Sequence, residues 1–156
     1  MEDVRRVISI IVMNESSVLS RISGLFAGRG FNIESLTVAP IPDSQKSHIT
    51  IVTKGSLRVI EQITKQLHKL IPVYKVIEHE EMIEKEMVLV KFPLGDNLAD
   101  IKALCEAYNG TIVNVGASIV IGMVADEPVR IKHFIEASGR YNPMEVVRGG
   151  VVAIER

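Results

Sequence analysis

Cysteine occurs once in the 156 residues, at Cys105. A single thiol can form neither an internal disulfide nor a thiolate metal cage. Tryptophan is absent and aromatics make up 4%, too few for the stacking platforms that hold bases or sugars. Neither sign of charge prevails: 18 Lys and Arg stand against 19 Asp and Glu, a net charge of -1. That balance excludes an electrostatic grip on nucleic acid or on an anionic membrane as the main activity. Long apolar runs are missing as well. The most apolar stretch, Val7 to Met13, is interrupted by Ser9 and falls far short of the roughly 20 residues of a membrane span. The opening MEDVRRV has no apolar signal core. A soluble, cytoplasmic chain is expected. What is present, 47% hydrophobic and 24% charged residues, suits a packed globular protein and is too apolar for disorder.

The apolar pattern alternates between strand and helix periods. Val7 to Met13 reads as a buried strand. Asn14 to Ser17 follow as helix caps, because their side chains can accept from orphan helix N–H groups. Val18, Leu19, Ile22, Leu25 and Phe26 recur at helical spacing, and Gly28 and Gly30 end that helix in the left-handed position. A strand over Asn32 to Ala39, a turn over Pro42 to Lys46 and a strand over His48 to Lys54 come next. Gly55 and Ser56 open a helix with Ile60, Ile63, Leu67 and Leu70 on one face, which Pro72 stops. Val73 to His79 is a fourth strand. After the acidic segment Glu80 to Glu86, a hinge or a strand extension, the order repeats. The strand Met87 to Phe92, the helix Asp96 to Tyr108, strands at Thr111 to Val115 and Ser118 to Ala125, the helix Pro128 to Ser138 and a strand at Met144 to Arg148 are expected, with Val151 to Glu155 as a short extended tail.

The expectation is therefore an α+β chain of two tandem βαββαβ ferredoxin-like domains, residues 1–79 and 87–156, joined by a linker at 80–86. Each is a four-stranded antiparallel sheet with two helices on one face. Ile8, Ile10 and Val12 are apolar, but so are Val7, Ile11 and Met13. The face without helices therefore needs a cover, and a partner sheet is the simplest, which points to a homodimer.

Catalytic constellations are scarce. His48, His68, His79 and His133 show no metal-ligand spacing among themselves. Cys105 falls on an apolar helix stripe and reads as core. Gly28-Arg29-Gly30 ends a helix instead of opening one, which excludes a phosphate loop. The strand HITIVTK lacks the aromatics of RNA-binding modules. No catalytic residue, metal site or cofactor is expected in this chain. An enzyme on the same topology, a small hydrolase or transferase, has little to work with.

The junction from Asn14 through Glu15, Ser16, Ser17, Val18 and Leu19 remains. A strand ends and a helix begins there, so free N–H groups and the positive end of the helix dipole could take a carboxylate. The Asn14 amide both donates and accepts. Val18, Leu19 and Ile33 could hold an aliphatic group. Together these suit a free α-amino acid. On composition alone, plain helix capping is the favoured role for the same residues.

NESSVLSRISGLFAGRGFNIESLTVAP, Asn14 to Pro40, resembles the opening of the small regulatory subunits of acetolactate synthase, also called acetohydroxyacid synthase. Leu67 to Val76, Glu84 to Lys91 and Glu145 to Gly150 are similar to further signatures of that family, while Val120 to Ile131 matches more loosely. The resemblance implies that the first unit is an ACT domain, a small-molecule sensor that pairs with its own copy, and that the second is a ferredoxin-like domain that also dimerises. It implies a subunit without a catalytic centre that binds a large catalytic subunit, raises its activity and makes it subject to feedback inhibition by valine or another branched-chain amino acid. Thiamine diphosphate, Mg²⁺ and FAD would belong to the large subunit. Asn14 to Leu19 match the family's effector loop on one protomer, and Asn32 and Ile33 the segment that reaches in from the other. Ser17 stands where the family usually has glycine, which implies a crowded site with weakened or altered feedback, or no effect if Ser17 lies in the first helical turn. The alternative is a free-standing ACT protein that regulates another partner.

Overall fold

The structure, a computed structural model, describes residues 2–78 and 81–156. Four strands, β1 (Val4–Met13), β2 (Ile33–Pro40), β3 (Lys46–Gly55) and β4 (Val73–Glu78), form an antiparallel sheet in the order β2-β3-β1-β4. Helices α1 (Val18–Ala27) and α2 (Leu57–Lys69) join one face of it in a common core. Ile8, Ile10 and Val12 of β1 and Ile49 and Ile51 of β3 meet Val18, Ile22 and Phe26 of α1 and Ile60, Ile63 and Leu67 of α2. The register places Ile8 opposite Ile51 and Ile10 opposite Ile49, so one parity of each strand supplies the core. Each such side chain, fully buried, stabilises the fold by about 1.5–3 kcal/mol.

The expected order holds for the second unit. The elements after β4 are β5 (Met82–Pro93), α3 (Leu98–Ala107), β6 (Thr111–Val115), β7 (Ile119–Asp126), α4 (Pro128–Ser138), a short 3-10 turn (Gly139–Tyr141), β8 (Glu145–Arg148) and β9 (Val152–Glu155). The sheet order is β6-β7-β5-β8, with β9 paired to β5 as a fifth strand. Val88, Val90 and Phe92 pack with Ile101 and Cys105 of α3 and Ile131 and Phe134 of α4. Tyr108 meets Phe134 edge to face at 5.6 Å between ring centres. Among the described residues no helix is long and apolar enough to cross a membrane.

Several expectations shift. The tail Val151 to Glu155 is a paired strand, because its backbone groups complete β5. Of the acidic segment, expected as a hinge or a strand extension, residues 82–86 belong to β5; the strand expected to reach His79 is described over Val73–Glu78, His79 and Glu80 lying outside the described residues. The compact units run through Ile83 together with Ala153–Arg156, and from Glu84 to Val152. Of the two glycines after α1 only Gly30 is left-handed, at φ 70°, whereas Gly28 keeps helical angles and donates its N–H to the Gly24 carbonyl at 2.9 Å. On the helix-free side of the first sheet, Val7 and Val52 are only 6% and 2% exposed, whereas Met87 and Leu89 on that side of the second remain open.

Candidate functional site

The end of β1 is held on two sides. The Met13 N–H donates to the Pro72 carbonyl and the Asn14 N–H to the Gln45 carbonyl, both at 2.9 Å. These bonds place Asn14 between the β2–β3 turn and the loop that follows α2. The chain then tightens: the Glu15 N–H reaches the Met13 carbonyl at 2.9 Å and the Val18 N–H the Glu15 carbonyl at 3.3 Å. Ser17 is the N-cap residue of α1, at φ -92° and ψ -10°. Those are ordinary right-handed angles, so this position makes no conformational demand for glycine. Among the described residues no side chain caps this helix, and its first turn carries no acid. The expectation of side-chain capping by Asn14 and the serines is thus not met, since Ser17 lies too near the helical conformation for its hydroxyl to turn back onto the N–H groups. The positive end of the dipole is left open to solvent.

Asn14, Glu15, Ser16, Ser17 and Leu19 are exposed there. Val18 is 2% exposed and belongs to the core, so its side chain does not wall a ligand as its spacing had suggested. Asn32 and Ile33 lie elsewhere. The register sets Ile33 opposite Thr53, and Thr53 opposite Arg6. Met13 is seven residues further along β1, about 23 Å at the rise of a strand. Asn32 is exposed and its carbonyl accepts from the Thr53 hydroxyl at 3.1 Å. Ile33 is half-buried against the core. Asn14–Leu19 and Asn32–Ile33 therefore sit at opposite ends of one sheet, and one chain does not bring them together.

The structure also surrounds Asn14 with residues that local patterns did not single out. Lys46, opposite Met13 in the register, lays its ammonium over the Tyr74 ring at 4.3 Å. Gln45 and Pro72 supply the carbonyls named above. Only the pairing of β1 with β3 and β4 could have announced them, and no short motif encodes that.

Other chemistry is sparse. Cys105 is fully buried, and burial raises its thiol pKa above the ordinary value, against a backbone hydrogen bond that lowers it. A thiol so placed is packing material. Among the described residues no group of three or more His, Cys, Asp or Glu could hold a metal ion. Among the described residues Asp126 is the most perturbed carboxylate. Burial opposes its charge, but the Arg130 guanidinium at 2.6 Å, the Glu127 N–H at 2.8 Å and the Lys85 ammonium at 3.4 Å hold its pKa down to about 2. It pins the start of α4 to the end of β7.

Comparison with known proteins agrees with this architecture. Residues 8–75 match the family described as the AHAS small subunit-like ACT domain, and residues 85–156 that described as the small subunit of acetolactate synthase. The acetolactate synthase small subunit of Haemophilus influenzae is 40% identical, over 97% of this chain and 96% of its own length. The acetolactate synthase isozyme 3 small subunit of Escherichia coli is 42% identical, over 97% and 96%. The crystal structure of the acetolactate synthase small subunit from Thermotoga maritima superposes with a TM-score of 0.88 at 32% identity, covering 98% of each chain. With both halves matched and relatives aligned over nearly their whole length, the chain belongs to the family of acetolactate synthase small subunits.

Proposed function

We propose that this chain is a regulatory, non-catalytic subunit that docks on a separate large acetolactate synthase subunit in the cytoplasm, raises its activity and imposes feedback inhibition by valine or a related branched-chain amino acid. Thiamine diphosphate, Mg²⁺ and FAD belong to the large subunit in this reading. Membership of the small-subunit family supports the role. The observation that carries the mechanism is the separation of Asn14–Leu19 from Asn32–Ile33 by about 23 Å within one sheet. A site that uses both needs two copies, with the helix tip of one beside the β2 start of the other. β2 is an edge of the sheet, a position where a second copy can approach.

The effector's carboxylate meets the open N-terminus of α1, its ammonium the Asn14 side-chain oxygen, and its alkyl group Leu19 and the partner's Ile33. Burying an isopropyl group contributes roughly 2 kcal/mol, and charge-assisted hydrogen bonds about 1.5–3 kcal/mol each before the cost of association. A net of about -4 to -6 kcal/mol corresponds to dissociation constants from about 1 mM to tens of μM, suited to sensing a metabolite pool. The ligand regulates because it binds one pairing of the two copies better than another. The test is to mix the purified chain with a large subunit and follow acetolactate formation with and without valine. A faster rate that valine suppresses is expected. No rise and no co-elution would favour a free-standing sensor, and turnover by the chain alone would contradict the non-catalytic role.

A further inference from the structure

The helix-free face of the first sheet carries two polar atoms that the fold leaves unanswered. Ser9 stands opposite Thr50 and His48 opposite Ile11, so Ser9 and His48 are diagonal neighbours on adjacent strands and share that face. Ser9 is 2% exposed. Neither its hydroxyl nor the His48 Nε2 has a hydrogen-bond partner among the described residues. Buried polar groups are nearly always paired, and an orphan costs free energy that a bound group can return.

Both residues line one cavity of about 250 Å³ within the first unit, whose remaining lining includes Ile77, Met82, Ile154, Glu155 and Arg156. That volume is far more than a single water requires and just short of the pockets that hold drug-sized ligands. The chemistry of the wall is directional. Ser9, His48 and Arg156 can each donate a hydrogen bond to a group held there, which suits an acceptor such as a carboxylate. Glu155 disfavours a doubly charged anion by like-charge repulsion. Ile77, Met82 and Ile154 offer an apolar wall to a short alkyl chain.

We propose that this cavity is a second small-molecule site, selective for a short aliphatic monocarboxylate. It is separate from the loop at Asn14, since none of its lining residues belongs to Asn14–Leu19. A chain of this family with two such sites would read a branched amino acid at one and a deaminated short acid at the other.

Isobutyrate is the probe, with isobutyramide as the uncharged isostere and inorganic phosphate as the anion without an alkyl chain. The 156-residue chain is titrated while the His48 ring resonances are followed by NMR. Saturable shifts with isobutyrate are expected, with binding roughly tenfold weaker for isobutyramide, for phosphate, and for the Ser9→Ala and Arg156→Gln variants. Asn14→Ala should bind isobutyrate as the wild type does. Thermal unfolding supplies an independent reading: Ser9→Ala removes an orphan hydroxyl, so its Tm should stay level or rise. No saturable change at His48, equal affinity in Ser9→Ala, phosphate as good as isobutyrate, or a lowered Tm in Ser9→Ala would each overturn the assignment.

Discussion

Asp126 shows what one side chain contributes. Its carboxylate is 5% exposed and is shared by Arg130, Lys85 and Asn109. Its folded pKa of about 2 lies below the ordinary 3.8, so the unfolded chain binds the proton more tightly. The stability it provides is complete above the unfolded value and drains away as pH falls from about 4 to about 2. Asp126→Asn should cost about 1–2 kcal/mol at neutral pH and flatten the stability profile in that acid window, measured by urea unfolding across pH. Ser17 predicts the opposite, near silence in stability. Its angles are those any residue adopts and its hydroxyl caps nothing among the described residues, so Ser17→Gly should change stability by less than about 0.5 kcal/mol. Asn14→Ala, in contrast, should weaken valine binding by roughly tenfold in calorimetry while leaving Tm unchanged, because the Asn14 side chain is exposed and its structural bond is made by the backbone N–H.

Elements meet where glycine lets them. A Cβ at Gly110 would lie 2.3 Å from the Met123 carbonyl oxygen and 2.6 Å from Val124 Cγ2, with β7 backbone unable to yield. Gly110→Ala should therefore cost about 1–3 kcal/mol or more by overpacking, seen as a lower denaturation midpoint at unchanged slope. The period of apolar residues places the four helices and the order of eight of the strands found among the described residues, because those signals are local. The side chains of Ile8, Ile10 and Val12 alternate with Val7 and Ser9, and the structure buries both sets. What local pattern could not show was where β9 pairs, since Val152–Glu155 could extend or fold back with equal propensity, and its partner β5 is some 60 residues earlier in the chain. Likewise Asn14 was visible as a cap-type residue, but its neighbours Gln45, Lys46 and Pro72 arrive through pairing distant in sequence. Val18 misled for a related reason: helical spacing says which residues share a stripe, and not whether the stripe faces the core or a ligand.

At the scale of the assembly, the division of the candidate effector site between the two ends of one sheet has a thermodynamic consequence. If two copies are needed to complete the site, the ligand binds the dimer and not the single chain. Linkage then works in both directions: whatever factor dimerisation adds to ligand affinity, ligand must add to dimer affinity. A coupling of about 1–3 kcal/mol corresponds to a change of roughly 5–150-fold. Sedimentation velocity over a dilution series should show the dimer constant tightening by that factor when valine is saturating. Calorimetric titration at low protein concentration should show valine binding weakening as dimers dissociate. The two factors must agree, and Asn14→Ala should reduce both together. A valine affinity independent of protein concentration, with a dimer constant indifferent to valine, would mean that each chain holds its ligand alone.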